Sequence, residues 1–309
     1  MYHRIAYPDV DPWSLCVSPK YFSEQLEVLR RVGYPYTIGN LVRDYVSGNV
    51  RKNAFVVTFD DGYLDNLAVA KPLLEAHDIP ATMFVCSGAI CRKEEFWWDQ
   101  LTRAFLCLTK EPPKQLVLDA AGKRLSWDFA AAQSTQKNWG SSNSEPNQIT
   151  ATSNYIAVYN ALRPLPAAAL EQCMRQIREW AAIPNEARPA YRTLNSDQLV
   201  ALASSGLIDI GAHTVSHPLL PAHPYAIQRQ EIVDSKFQLQ DIIQRPIEHF
   251  AYPYGQYDQS TVRILHETGF SSACTTATIP MKRYELPRMQ VENWSGERFL
   301  EIVQEKLSG

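Results

Sequence analysis

The chain has 309 residues, 45% of them hydrophobic, and its formal net charge is −3. This near-neutral charge does not indicate the basic surface that binds nucleic acid. The sequence contains no run of about 18 apolar residues, so no membrane span is predicted. The six cysteines are scattered, which is typical of reduced, mostly buried side chains and argues against a zinc site built on cysteine.

Predicted strands alternate with predicted helices along most of the chain, a pattern that favours parallel strands joined by crossover helices. The predicted strands are Ala54–Val57, Ala81–Val85, Leu207–Ile210, His249–Tyr252, Ser272–Cys274 and Met289–Val291. The predicted helices are Pro19–Val32 with Ser18 as its cap, Leu64–His77, a segment from Ser196 to Gly206, Tyr225–Ile243, a segment from Asp258 to Gly269, and Gly296–Leu307.

Residues 96–191 interrupt this alternation. Helical patterns cover Trp97–Leu108 and much of Tyr155–Ala182, and between them lies a polar tract, Gln133–Ser153, that we expect to be a loop or disordered. We therefore predict a single domain over residues 1–309 with a largely helical insertion at 96–191, which serves as a lid or a partner surface.

Two adjacent carboxylates, Asp60 and Asp61, follow the first of the longer strands in the run Thr58-Phe59-Asp60-Asp61-Gly62. Taken alone, they fit an Asp-Gly turn or a helix cap as well as a functional site. Consecutive side chains diverge, so one carboxylate can bind a metal while the other accepts a proton.

Two histidines, His213 and His217, follow another apolar strand with three residues between them. A lone histidine in a loop is usually structural, but two at this spacing at a strand end suit a metal centre. With Asp61 as third ligand they would leave coordination positions open for water and substrate.

The two motifs, Thr58–Gly62 and His213–Pro218, resemble those of the NodB-type polysaccharide deacetylases, carbohydrate esterase family 4. The resemblance covers nearly the whole chain except the insertion. It implies an α/β fold, a distorted (β/α)7 barrel, and removal of N-acetyl groups from sugars with a divalent metal. By this resemblance Asp60 is the general base, and the metal ligands are Asp61, His213 and His217.

A third family motif is matched by Phe250–Gly255, in which Tyr252, Pro253, Tyr254 and Gly255 would form a groove wall and offer a backbone N–H to the oxyanion. The alternative is an ordinary strand followed by a turn. The segment falls at a strand's carboxyl end, where barrel enzymes hold their sites, and this favours the functional interpretation.

The family's general acid is a histidine in a Leu-x-His motif near the C-terminus, and this chain departs from that pattern. No histidine follows His266, which we expect on an outer helix. The chain resembles circularly permuted members, in which a Tyr-His segment opens the domain, so His3 is the predicted acid. The alternative is an exposed histidine at a disordered terminus.

Two further residues are candidates for the site. Arg288 either pairs with Asp60 and keeps it ionised or is a surface arginine. Trp98 either stacks on a sugar ring or, with Trp97, anchors the insertion as a buried aromatic pair.

The predicted function is metal-dependent hydrolysis of N-acetyl groups on a sugar or polysaccharide, with an N-acetylated glycan or glycan precursor as partner. Zn²⁺ is the first choice of metal, with Co²⁺, Ni²⁺ and Mn²⁺ as alternatives. Alternative functions are hydrolysis of formyl groups, of lipid-linked sugars or of cyclic ureides, and a non-catalytic carbohydrate-binding barrel. The start, Met1–Arg4, lacks a signal pattern, so a cytoplasmic location is expected; no oligomeric state is predicted.

Overall fold

The structure is a computed structural model that describes residues 1–108, 113–129 and 146–308. The chain divides into two compact units, one made of Met1–Arg92 and Arg192–Gly309 and the other of Lys93–Tyr191. The second unit covers the range predicted for the insertion; that both units form one domain stays a prediction. Within the described ranges, no helix is long and apolar enough to cross a membrane.

The described strands are β1 (Arg4–Ile5), β2 (Cys16–Val17), β3 (Tyr34–Pro35), β4 (Ala54–Phe55), β5 (Val57–Phe59), β6 (Ala81–Val85), β7 (Gln115–Ala120), β8 (Lys123–Asp128), β9 (Ile208–Ala212), β10 (His249–Ala251), β11 (Ser272–Thr275) and β12 (Leu286–Pro287). The described α-helices are α1 (Pro19–Val32), α2 (Ile38–Val46), α3 (Lys71–Ala76), α4 (Trp97–Leu106), α5 (Pro146–Leu162), α6 (Ala167–Ala181), α7 (Ser196–Ala203), α8 (Tyr225–Ile243), α9 (Gln259–Glu267) and α10 (Gly296–Ser308).

The first unit is built on a six-stranded sheet with the order β12-β11-β10-β9-β6-β5, in which every neighbouring pair is parallel. Parallel strands need crossover connections; helices lie in the connections between β5 and β11, whereas the residues between β11 and β12 contain no helix. The carboxyl ends of all six strands therefore meet at one edge. The predicted α/β barrel class is confirmed.

The N-terminal segment lies between β5 and the residues that follow β12. On one side the N–H of Tyr2 donates to the carbonyl of Thr58 (2.8 Å), and the N–H of Asp60 donates to the carbonyl of Tyr2 (3.1 Å). On the other side Val291 donates to the carbonyl of Met1 (2.9 Å). With this segment counted as a seventh strand position, the arrangement corresponds to a (β/α)7 barrel.

Helix α1 shows how the sequence forms the layer outside the sheet. The Ser18 side chain accepts the N–H of Tyr21, and a proline follows at the first helical position, which is a common helix start. Phe22 and Leu26 lie on the buried face of the helix, and Phe22 packs edge-on against Phe59 of β5 at 5.7 Å between ring centroids. Each of these two side chains stabilises the fold by about 1.5–3 kcal/mol through burial.

The second unit contains α4, α5, α6 and the antiparallel hairpin formed by β7 and β8. Its largely helical character is confirmed, but the hairpin was not predicted. The polar tract was predicted to be a loop to residue 153; residues 133–145 lie outside the described residues, and residues 146–153 are helical. The loop prediction is wrong there, because the tract continues into the turns of α5 that bury Tyr155 and Tyr159.

Two other predictions near the sheet differ from the structure. The last strand is Leu286–Pro287 rather than Met289–Val291, because residues 289–291 bond to Met1 instead of to β11. The helix predicted at Leu64–His77 begins with a π-helical turn, Asn66–Ala70, before α3.

Candidate active site

Asp60 and Asp61 lie directly after β5, where the main chain turns sharply. Asp61 has a φ of 77° and Gly62 a φ of 91°, so two consecutive residues occupy the left-handed region. A Cβ on Gly62 would lie 2.8 Å from Cγ1 of Val85, which explains why glycine is needed here. Both aspartates are buried, and such strained turns are typical of functional sites.

The two histidines lie on the loop after β9. The N–H of His213 donates to the carbonyl of Val85 (3.1 Å), which continues the pairing of β9 with β6. Thr214 and His217 both have positive φ values, 66° and 59°, and the Thr214 hydroxyl accepts the N–H of His217 (3.0 Å). This internal bond folds the loop back, so that both imidazoles face the same point.

Glu231 of α8 binds the outside of this loop, a contact that the sequence did not predict. One carboxylate oxygen accepts the N–H groups of Val215 (2.9 Å) and Ser216 (2.8 Å), and the other accepts the Ser216 hydroxyl (2.6 Å). Charge-assisted bonds of this kind are stronger than neutral ones. Glu231 therefore holds the loop that carries both histidines.

Asp61, His213 and His217 form a buried cluster in which one ligand atom from each residue lies within 4.8 Å of the others. Oδ1 of Asp61 lies 3.7 Å from Nε2 of His213 and 3.6 Å from Nε2 of His217. Two ligands each about 2.0–2.1 Å from a tetrahedral zinc ion lie roughly 3.4 Å apart. The spacing and the chemistry of the three donors thus fit a divalent metal.

Hydrogen bonding and burial prepare these imidazoles for ligation. Nδ1 of His213 lies 2.7 Å from the carbonyl of Ala251, to which it donates, and this leaves the Nε2 lone pair directed at the cluster. Burial lowers the pKa of His213, and burial together with the neighbouring His213 lowers the pKa of His217 well below its ordinary value. Both are then neutral at pH 7, the form that binds metals.

Asp60 has a different partner from Asp61. Its two oxygens accept Nη1 (2.7 Å) and Nη2 (2.8 Å) of Arg288, and Nη1 also donates to the Thr58 hydroxyl (3.2 Å). Burial alone would raise the pKa of Asp60, but the charge of Arg288, with a smaller effect from His213, holds it below its ordinary value. Asp60 is therefore a buried, ionised carboxylate whose Oδ2 lies 4.0 Å from Nε2 of His213.

His3 lies beside this pair on the N-terminal segment. Tyr2 packs against Phe59 and Phe22 on the outer face of the barrel. Because side chains alternate along an extended segment, His3 faces the side of Asp60. Burial lowers the pKa of His3 to about 4, while the negative charge of Asp60 acts in the opposite direction.

The third motif follows β10 and lies next to His217. The Tyr254 ring packs edge-on against His217 at 4.6 Å, and the φ of Tyr254 is 58°. A Cβ on Gly255 would lie 2.0 Å from the hydroxyl of Thr276. Pro253 is buried, and the Tyr252 side chain faces the core, where its hydroxyl donates to the carbonyl of Tyr284 (2.8 Å). The main chain of Tyr252 is also engaged, because its N–H donates to the carbonyl of Cys274 (3.1 Å) and its carbonyl accepts the N–H of Gly255 (2.8 Å).

Two residues from the sequence analysis remain. Trp98 belongs to the second unit, where it is buried and stacks on Phe96 with 4.5 Å between ring centroids. A role in sugar binding for Trp98 stays a prediction. His266 is exposed on α9, as expected for an outer helix.

Known proteins resemble this chain in sequence and in fold. The curated protein "Putative polysaccharide deacetylase YxkH" from Bacillus subtilis (strain 168) is 29% identical over 111 residues, which are 34% of this chain and 39% of that protein. Two solved structures match almost the full length at 19% identity and a TM-score of 0.59. They are "Streptococcus pyogenes deacetylase PplD in complex with acetate", with 97% of this chain and 95% of that one covered, and "Structure of IcaB from Ammonifex degensii", with 98% and 94% covered.

At this level of identity, the two structures establish the fold alone. The family assignment comes from the sequence of the chain itself. A family model described as polysaccharide deacetylase matches residues 47–105 and 172–273, which together make up just over half of the chain. These ranges contain both aspartates, both histidines and the third motif. The chain belongs to the polysaccharide deacetylase family.

Proposed function

We propose that this chain is a metal-dependent carbohydrate N-deacetylase, which hydrolyses an acetamide on a sugar to an amine and acetate. The observation that carries the proposal is the buried cluster of Asp61, His213 and His217 beside an ionised Asp60. One carboxylate of the pair neutralises cationic charge while the other remains able to accept a proton. A hydrolase of amides needs both functions within one site.

In this proposal the metal ligands are Asp61, His213 and His217, and a cation bound there supplies Lewis-acid stabilisation of negative charge and lowers the pKa of water. Asp60 accepts the proton of the attacking water. Arg288 keeps Asp60 ionised and fixes its orientation through two parallel bonds, so the carboxylate is available as a base at neutral pH. The backbone N–H at Tyr254 is the proposed donor to the oxygen of the attacked carbonyl.

His3 is the proposed donor of the proton that the departing amine requires. With a pKa near 4 its imidazole is neutral at neutral pH before substrate binds. To act as the acid it must first take up a proton from solvent in the substrate complex, where negative charge on the attacked carbonyl would favour the imidazolium form. His3→Ala should therefore lower kcat for amide substrates, and an unchanged kcat would remove His3 from this role.

Zn²⁺ is the metal that an Asp-His-His set suits best, and Co²⁺, Ni²⁺ or Mn²⁺ are alternatives with the same ligands. The proposed substrate is an N-acetylated glycan or glycan precursor. The similar structures support deacetylation, since one of them is a deacetylase in complex with acetate.

The test measures bound metal and product release in the same samples. Purified protein is stripped with a chelator, reloaded with each metal, and given N-acetyl oligosaccharides, N-formyl sugars or a cyclic ureide. Acetate release that depends on metal is the expected result. Release of formate, or hydrolysis of the cyclic ureide, in place of acetate release would mean that the same site acts on a different amide.

Variants separate the two aspartates. Asp60→Asn should abolish turnover and keep the metal, whereas Asp61→Asn should lose both. Asp241→Asn, an exposed aspartate at the end of α8, is the matched control and should change neither. Substantial turnover by Asp60→Asn would contradict its role as base, and metal-free, inactive wild-type protein would favour a non-catalytic barrel.

A further inference from the structure

Two neighbouring side chains, Asp65 and Asn66, hold the N-terminal segment at His3 and at the two residues after it. Oδ1 of Asp65 accepts the N–H of Ile5, and Oδ2 accepts Nε of Arg4, both at 3.1 Å. Nδ2 of Asn66 donates to the main-chain carbonyl of His3 (2.9 Å) and to Oδ1 of Asp65 (3.1 Å). We call this pair the Asp65–Asn66 clamp.

The clamp acts where the strand pairing of the N-terminal segment changes. Tyr2 still bonds to the main chain beside β5, but from Arg4 onward the segment pairs with β2. His3 lies at the junction between the two pairings. The clamp is the described contact that fixes the His3 carbonyl at this point, and it comes from the same loop-to-helix segment that carries Asp60 and Asp61.

The composition of the clamp favours positioning over simple packing. Asn66 is fully buried, and within the described residues its Oδ1 has no hydrogen-bond partner. An unsatisfied buried polar atom costs about 1–3 kcal/mol, which an apolar side chain of similar volume would avoid. An apolar side chain could not provide the hydrogen bond that the Asn66 side-chain amide donates to the His3 carbonyl.

We propose that Asp65 and Asn66 are positioning residues that hold His3 at the distance from the substrate at which it can donate a proton. This inference rests on the proposed function, in which His3 is the donor. Proton transfer requires about 2.6–3.2 Å between heavy atoms, and a misplacement of about 1 Å can cost roughly 100-fold in rate. Loss of the clamp should therefore reproduce much of the effect of losing the imidazole itself.

Two substrates distinguish positioning from a general structural role. An N-acetyl oligosaccharide releases an amine that must be protonated, whereas 4-nitrophenyl acetate releases a phenolate that needs no proton. Asn66→Ala should lower kcat for the oligosaccharide at least 10-fold and leave KM unchanged. It should leave kcat for 4-nitrophenyl acetate within about twofold. Equal losses on both substrates would overturn the proposal.

Further variants complete the comparison. His3→Ala should show the same split between the two substrates, and the double variant with Asn66→Ala should be no slower than His3→Ala alone. Asp65→Asn keeps an oxygen for the N–H of Ile5 and should retain more activity than Asn66→Ala. Asn53→Ala is the matched control, since it removes a side-chain amide hydrogen bond to the carbonyl of Val32, away from the site. It should affect stability but not the ratio of the two activities.

A spectroscopic measurement tests the clamp without any substrate. In protein labelled at histidine, the His3 imidazole resonances of Asn66→Ala should shift or broaden, while those of His213 and His217 keep their positions. Unchanged His3 resonances would overturn the clamp. If these resonances respond as expected but His3→Ala hydrolyses the oligosaccharide at the wild-type rate, the clamp stands and the proton-donor role in the proposed function fails.

Discussion

The ion pair between Asp60 and Arg288 gives a quantitative prediction about stability. Both side chains are nearly inaccessible to solvent, 4% and 6% exposed, and their contact is a bidentate pair of bonds of 2.7 and 2.8 Å. Arg288→Met removes one partner, fills a similar volume and leaves an ionised carboxylate buried. Breaking a buried pair in this way costs about 3–5 kcal/mol, which is the expected loss in free energy of unfolding.

A double-mutant cycle isolates the pair from the loss of packing. In the double variant Asp60→Asn with Arg288→Met neither member of the pair carries a charge, so we expect it to be at least about 2 kcal/mol more stable than the sum of the single losses predicts. Arg288→Lys keeps the charge but only one of the two bonds, and its stability should fall between wild type and Arg288→Met.

The assay is urea denaturation in the presence of a chelator, so that metal binding does not contribute. Coincident fluorescence and circular-dichroism transitions establish that a single free energy of unfolding applies. Arg298→Met is the control, because Arg298 contacts Glu301 at the same 2.7 Å but more than half of each side chain is exposed. Screening by solvent should leave that variant close to wild type. A loss below about 1 kcal/mol for Arg288→Met would refute the view that Asp60 is held as a buried anion.

Three further predictions concern the loop that carries the histidines, the metal and a buried histidine. Glu231→Ala should weaken metal affinity about 10- to 100-fold by chelator competition, whereas the control Asp241→Ala should not, and equal affinities would mean that Glu231 does not hold the loop. Metal at 100 times its dissociation constant should stabilise the wild-type fold by about 2.7 kcal/mol in urea denaturation without chelator, and Asp61→Asn should lose this gain. Burial lowers the pKa of His249 to about 4 from an unfolded value near 6.5, so the unfolded chain protonates first and stability falls as the pH drops from 6.5 to 4. His249→Gln should remove about 3 kcal/mol of that decline in pH-dependent unfolding, and an unchanged pH profile would contradict the assignment.

Helices with strong local signals could be predicted closely from the sequence. Helix α8 runs over Tyr225–Ile243 as predicted, and the caps at Ser18 and Asp258 are formed by those side chains. A cap and an amphipathic face are local properties, so neighbouring residues determine them. That strands end shortly before Asp60 and His213 was also predictable, although each strand extends two residues beyond its predicted end, to Phe59 and Ala212.

Elements that depend on distant partners were not predictable in this way. Strands β1 to β3 have two residues each, too few for any alternation to appear, and they form because another segment lies alongside. The hairpin of β7 and β8 did carry a signal, because Leu116, Leu118 and Ala120 alternate with exposed residues. This alternation of buried and exposed residues lies in a region that was predicted to be largely helical, and it indicates a strand instead.

In the candidate site, too, the chemistry of the side chains could be predicted from the sequence, but their contacts with distant residues could not. The sequence indicated which side chains could bind a metal or accept a proton, because aspartate pairs and spaced histidines carry that chemistry in any fold. It did not indicate that Glu231 binds the histidine loop, since the two are 15 residues apart and meet only when α8 packs beside β9. Contacts of this kind follow from the order of strands in the sheet, which no local pattern specifies.

The N-terminal segment connects the barrel to the proposed chemistry most directly. Met1 and Tyr2 supply the hydrogen bonds that join β5 to the residues following β12, and the next residue is the proposed proton donor. These two residues hold their own main chain in register, but their hydrogen bonds do not fix His3, which follows them. The bonds from Asp65 and Asn66 supply that missing constraint from the helix side. Closure of the barrel and placement of His3 therefore depend on the same short segment, and a substitution that loosens it should affect stability and proton transfer together.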